Sequence, residues 1–364
     1  MLAKSAAAPW APAIQDSYQA RIEAAKAALG DRLVILGHHY QREEVYRHAH
    51  FSGDSLKLSR QAAATRADYI VFCGVHFMAE VADILSRPEQ IVILPDLSAG
   101  CSMADMASLA KVERAWRELG EVLGNADEVL TPVTYINSAA ELKAFCGRHG
   151  GLVCTSSNAR RTLEWAFERR RKVLFFPDQH LGRNTGHGMG IPLDQMVVWD
   201  FDRPLGGLTP AQIEAARIIL WKGFCSVHQM FRPEHIDRFL AQYPDARVIS
   251  HPECSLEVCQ KSHHVGSTEF IIRTIAESAP GTRWLVGTEL NLVQRLEERF
   301  RHQGKSVHFM SPTICMCSTM FRIDPRHFCD SLESLVEGRV QNRISVPGPV
   351  AEQARVALDR MLAL

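Results

Sequence analysis

The sequence has no Cys-x-x-Cys pair, no net charge and no long uncharged apolar run. Each absence excludes something. Without Cys-x-x-Cys, a zinc ribbon, a thioredoxin-type redox site and a ferredoxin-type local cluster all lack their usual spacing. With 41 Lys and Arg against 41 Asp and Glu, the electrostatic footprint of a nucleic-acid or anionic-membrane binder is missing. No uncharged stretch reaches the roughly 18 residues of a membrane span, and MLAKSAAAPWAPA lacks the apolar core of an export signal. The expectation is a cytoplasmic protein.

What is present is a globular composition: 364 residues, 46% hydrophobic and 23% charged, enough chain for two or three domains. Ten cysteines stand at 73, 101, 146, 154, 225, 254, 259, 315, 317 and 329. Disulfides rarely persist in a reducing compartment, so so many thiols direct attention to metal or thiol chemistry. Since no local pair exists, a metal site has to be assembled from distant segments. Any single cysteine can equally be a buried thiol that packs as a small hydrophobe.

One pattern recurs three times: a β-branched apolar run, a polar loop, a helix-like stretch, and again a run and a loop. The first copy starts at RLVILGHHYQ (32–41), passes through DYIVFCGVHF and QIVILPDLSAGC, and ends at Cys101. The second starts at EVLTPVTYINS (128–138), passes through LVCTSSN and KVLFFPDQHLG, and ends at Cys225. The third starts at ARVISHPEC (246–254), passes through HHVGSTEFII and RWLVGTEL, and ends at Cys317. Short apolar runs alternating with helices predict an α/β protein of three homologous three-layer modules with parallel sheets, bounded at 1–115, 116–231 and 232–364. Amphipathic helices are expected from Ile14 to Leu29, stopped by Gly30, and from Val350 to Leu362, where packing on the first module is one option. The Gly- and Pro-rich stretch 183–210 reads as the longest irregular segment, a flap or interface loop. Gly186, Gly188 and Gly190 within it lack the preceding strand that a nucleotide loop requires.

Parallel sheets place ligand chemistry in the loops beyond their strand ends. Those loops carry His38 beside Tyr40, Tyr135 with Asn137, and His251 with Glu253. At i, i+2 in an extended segment two side chains leave on the same face, so His251 and Glu253 suit acid/base work and Tyr135 and Asn137 can orient a carboxylate or enolate. Ser156, Ser267 and Thr268 precede helix-like segments, where hydroxyls and amides either cap the helix or hold phosphate or carboxylate. His48 and His50 read as a surface pair or a weak metal site. Three thiols, one per module, suit an iron-sulfur centre with one open iron position, and with histidine they also suit zinc.

The motifs GHHYQ (37–41), GDSLKLS (53–59), FCGVHFMAE (72–80), PDLSAGCSMAD (95–105), YINSAAELKA (135–144) and CTSSNA (154–159) are found together here. So are FFPDQHLGR (175–183), WKGFCSVHQMF (221–231), HPEC (251–254), VGSTEFII (265–272), VGTE (286–289) and Cys317-Ser-Thr-Met320. By these the chain resembles the quinolinate synthase family, iron-sulfur enzymes of NAD biosynthesis, over almost its whole length. The resemblance implies three modules around a pseudo-threefold axis and the condensation of iminoaspartate with dihydroxyacetone phosphate to quinolinate, with loss of phosphate and two waters. It implies one [4Fe-4S] cluster held by Cys101, Cys225 and Cys317, and functional coupling to an L-aspartate oxidase or dehydrogenase. His38, Ser55, Tyr135, Asn137, Ser156, His251, Glu253, Ser267 and Thr268 are then expected at the substrate, with Glu253, His251, Tyr135 and His38 moving protons. One departure stands out: Ser318 replaces the proline of the family's Cys-Pro-x-Met, and Cys315 lies two residues upstream of Cys317. The competing readings are a zinc-dependent lyase or hydrolase and a non-catalytic iron-sulfur carrier, although a carrier has no use for armed strand ends.

Overall fold

The computed structural model describes residues 11–313 and 316–364, with side chains from Ser17 onward. Cys315 therefore lies outside the described residues, as does the side chain of Ile14. Fourteen strands occur among the described residues. They are β1 (Leu33–His38), β2 (Phe51–Gly53), β3 (Tyr69–Cys73), β4 (Ile91–Ile93), β5 (Leu130–Tyr135), β6 (Leu152–Cys154) and β7 (Lys172–Phe176). Then come β8 (Met196–Trp199), β9 (Ile218–Trp221), β10 (Arg247–Ser250), β11 (His264–Val265), β12 (Arg283–Gly287), β13 (Ser306–Phe309) and β14 (Arg343–Ile344).

These form three sheets, ordered β14-β4-β3-β1-β2, β6-β5-β7-β9-β8 and β11-β10-β12-β13. Within them the same four-strand order occurs three times: β4-β3-β1-β2, β9-β7-β5-β6 and β13-β12-β10-β11. Every pairing is parallel except β14 on β4. The central strands β1 and β5 are buried along their full length, as expected when helices cover both faces of a parallel sheet. The fold is thus α/β with three mostly parallel sheets, and the recurring apolar runs are its strands.

Stretch 183–210 departs from the loop expected of it. Its first residues complete a helix, Gln179–Gly188, and its middle supplies β8, which lies parallel on β9. Of Gly186, Gly188 and Gly190, only Gly186 serves close packing, a Cβ on it meeting Met196 and Ile218, whereas Gly188 faces open space and Gly190 takes a positive φ in the exit turn. The NTGHGMG run is the end of this helix and its exit turn.

The chain beyond the third sheet returns to the other two. Pro325–Val336 packs on the N-terminal helix Ala11–Leu29, β14 pairs with β4, and the last helix, Gly348–Leu362, lies mainly on the helix Ala140–Arg148 and on β6, touching the first module at the helix His76–Leu85. The approach of the last helix to Ala140–Arg148 depends on Gly147, where a Cβ would collide with the backbone carbonyl of Gln353. One continuous core accordingly spans the first two sheets, whereas the third sheet is packed by two core clusters of its own. No described helix is long and apolar enough to cross a membrane.

Candidate functional site

Because the four-strand order repeats, equivalent strands deliver equivalent loops. The C-terminal ends of β1, β5 and β10 and the loops that follow them carry His38 and Tyr40, Tyr135 and Asn137, and His251 and Glu253. Those after β2, β6 and β11 carry Ser55, Ser156 and Thr268, and those after β4, β9 and β13 carry Cys101, Cys225 and Cys317. All twelve of these residues line a single central cavity, and Met320 joins them. Ser267 is the exception among the expected residues: its hydroxyl caps the helix Thr268–Glu277 by accepting from the Phe270 amide.

The loops interact across the modules. Tyr135 donates its hydroxyl proton to Glu253 Oε1 at 2.6 Å, a bond between residues 118 positions apart. His251 Nδ1 stands 3.9 Å from the same oxygen. Tyr40 and Thr288 share a 2.8 Å hydroxyl bond, and Asn291 donates to the Tyr40 carbonyl. Arg295 completes this clasp by donating to the carbonyls of His39 and Gln41. The His-His-Tyr loop of the first sheet is thereby tied to the third.

Burial would raise the Glu253 carboxyl, yet the adjacent His251 and His228 rings and the Tyr135 hydroxyl outweigh it and hold the group below the ordinary carboxylate range. Tyr135 moves the opposite way, since burial and the neighbouring carboxylate both raise its phenol. A proton therefore rests on Tyr135 and a charge on Glu253. Burial pushes His38 and His251 down to about 3, so both imidazoles are neutral near pH 7. Two buried acceptors on the cavity, Asn137 Oδ1 and Thr268 Oγ1, have no hydrogen-bond partner within the protein. Buried polar atoms left open in a cavity are where a polar ligand binds without displacing a protein contact.

Three cysteines, one from each sheet, face this cavity and are partly exposed, whereas Cys73, Cys146, Cys154, Cys254, Cys259 and Cys329 are buried. Burial pushes the Cys101 thiol up to about 12, and Cys317 adds to the shift. Cys225 is raised well above its usual value by burial and by Glu253, with Cys101 and Cys317 contributing. Mutually felt thiols of this kind ionise when a metal takes the place of their protons. A soft, three-sulfur donor set fits a thiophilic metal centre.

Several residues at the site were not among those expected. His228 is fully buried, stacks on His251 at 4.8 Å, and places Nδ1 2.9 Å from Glu253 Oε2. Its spacing from Cys225 was the available signal, three residues along one loop. Asp178 and Glu289 follow the equivalent strands β7 and β12, are fully buried, and cap the helices Gln179–Gly188 and Leu290–Arg301. Glu289 also accepts from the Cys317 amide at 3.4 Å. By contrast, His48 and His50 belong to the scaffold, His48 paired with Glu23 at 2.6 Å and His50 Nδ1 accepting from the Ile35 amide.

Comparison with known proteins agrees with this arrangement. Residues 20–363 match the sequence model of a family described as "Quinolinate synthetase A protein". A protein of Acidobacterium capsulatum named quinolinate synthase is 58% identical over 349 residues, covering 96% of this chain and 93% of the relative. Proteins of the same name from Nocardioides sp. and Rhodopirellula baltica are 57% and 55% identical, covering 97% and 95% of this chain and 91% and 90% of their own lengths.

Proposed function

Because the chain belongs to the quinolinate synthetase A family, we propose that its central cavity condenses iminoaspartate with dihydroxyacetone phosphate, giving quinolinate, phosphate and two waters for NAD biosynthesis. The observation that carries the reading is the convergence of three thiols and three polar strand-end pairs on one cavity. In this reading Cys101, Cys225 and Cys317 hold a [4Fe-4S] cluster. Bound by these three thiolates, such a cluster would supply a Lewis acid for the departure of water.

The protein's own groups divide the remaining work. The substrates bring carboxylates and a phosphate, and the hydroxyls of Ser55, Ser156 and Thr268 lie near helix N-termini that favour such anions. Thr268 Oγ1 and the Asn137 amide are open to the ligand and orient it. Glu253, ionised and 2.6 Å from the Tyr135 hydroxyl, takes a proton from carbon, and Tyr135 returns one to oxygen or nitrogen. Neutral His251 and His38 accept or pass protons without adding charge to the site. Tyr40 and Met320 add apolar lining beside an imine that water would hydrolyse. The lability of that imine makes an L-aspartate oxidase or dehydrogenase the enzyme to which this one is functionally coupled.

The test is anaerobic purification followed by iron and sulfide analysis and a quinolinate assay. The expected result is iron and acid-labile sulfide in equal amounts, with quinolinate formed from the two substrates. Stoichiometric zinc without sulfide, in a protein inactive on both substrates, would overturn the reading.

A further inference from the structure

Cys225 Sγ, a ring nitrogen of His228 and a carboxylate oxygen of Glu253 lie within 4.8 Å of one another. Cys101 and Cys317 stand outside this group. A tetrahedral zinc or ferrous ion with bonds of about 2.0–2.3 Å needs its ligands roughly 3.3–3.8 Å apart, so atoms already within 4.8 Å of one another reach one ion by side-chain adjustment alone. Their orientation agrees. Tyr135 occupies Glu253 Oε1, leaving Oε2 toward His228. His228 Nε2 is 3.4 Å from Thr288 Oγ1, which leaves Nδ1 as the nitrogen beside the carboxylate. Although Nδ1 and Oε2 are only 2.9 Å apart, Nδ1 makes no hydrogen bond. A buried ring nitrogen without a hydrogen-bond partner is open to a cation.

We propose that Cys225, His228 and Glu253 form a mononuclear site for a divalent cation, zinc or ferrous iron, in the chain that lacks its cluster. Thr288 is the outer partner that orients the His228 ring through Nε2, and the Cys225 thiol gives up its proton to solvent as the metal–sulfur bond forms. A fourth position stays open to water from the cavity. An ion seated here occupies Cys225 and so opposes cluster loading, a consequence that rests on the cluster assignment made above; the ion site itself does not.

The experiment uses the full-length protein, freed of metal by anaerobic chelation and titrated with zinc. We expect one zinc per chain with a single sulfur in its X-ray absorption shell, retained in Cys101→Ala and Cys317→Ala. Affinity should fall in Cys225→Ala and His228→Ala by more than the roughly 10- to 100-fold that loss of an outer partner costs, and by about that range in Thr288→Val, which keeps all three ligands. A three-sulfur shell, or loss of zinc in Cys101→Ala, would overturn the proposal. A chain that loads its iron and sulfide but takes up no zinc would also overturn it while leaving the proposed function intact.

Discussion

The two ends of the same sheets treat their buried polar groups in opposite ways. At the strand starts the long polar side chains of Lys172, Lys305 and Gln90 are paired within the protein. Lys172 opens β7 and donates to the carbonyls of Glu214 and Ala216, ending one helix; Lys305 precedes β13 and donates to Ile275 and Ala276, ending another. Gln90 precedes β4 and donates to Thr65 and Ala67. At the strand ends Asn137 Oδ1, Thr268 Oγ1, Asp178 Oδ2 and His228 Nδ1 are buried and have no such partner. A buried polar group without a partner costs stability. The strand-start end is built to hold the fold, and the strand-end side accepts that cost so that ligands can supply the missing contacts.

The sharpest test of this contrast uses its cysteines. Cys225→Ala, like Cys101→Ala and Cys317→Ala, should lose its iron and its quinolinate-forming activity, whereas Cys146→Ala, buried within the second module, should keep both. Iron retained in Cys225→Ala at the wild-type level would erase the distinction between cavity and scaffold thiols. Next in size is Glu253→Gln, which keeps shape and removes the proton acceptor. Its turnover should drop by at least about 10²-fold with the iron content unchanged. Near-normal turnover would make Glu253 structural.

Thr268→Val should raise KM by roughly 10- to 100-fold, the worth of one hydrogen bond to a charged group, and leave thermal stability as it was or higher. A fall in stability with unchanged KM would place Thr268 with the scaffold. At the other end, Lys305→Met leaves two helix-terminal carbonyls without a donor. It should cost about 1–3 kcal/mol in denaturant unfolding while kcat/KM stays level. A pH-dependent effect concerns His38 and His251. Their folded values of about 3 lie below the usual 6.5, so the unfolded chain binds more protons between these limits and stability rises with pH from about 3 to 6.5. Above that range the two contribute no further slope. NMR titration showing either ring protonating near 6.5 in the folded protein would contradict the burial argument.

Most strands were legible because the signal is local. VILGH, VTYIN and RVISH are short apolar runs that end in polar residues, and they became β1, β5 and β10 with their armed loops. β14 was not legible: two residues, Arg343 and Ile344, carry no periodicity, and they are a strand only because β4 offers an open edge. β8 was hidden between glycines that belong to the helix end and turns on either side of it, Gly188 and Gly190 before it and Gly206 and Gly207 after it.

The site divides the same way. Residue type and position after a strand identified the three cysteines and the pairs at 38, 135–137 and 251–253 as groups that face a crevice, since parallel sheets direct strand-end loops to one side. Which groups meet was decided only by the packing of one sheet against another. The Tyr135–Glu253 bond, the stacking of His228 on His251, and the clasp of Thr288, Asn291 and Arg295 on the His-His-Tyr loop all join separate sheets. Hydrophobic periodicity is a property of neighbours along the chain, so it determines strands, helices and the loops between them. Distances between loops of different modules, and the protonation that follows from them, exist only once those modules have packed.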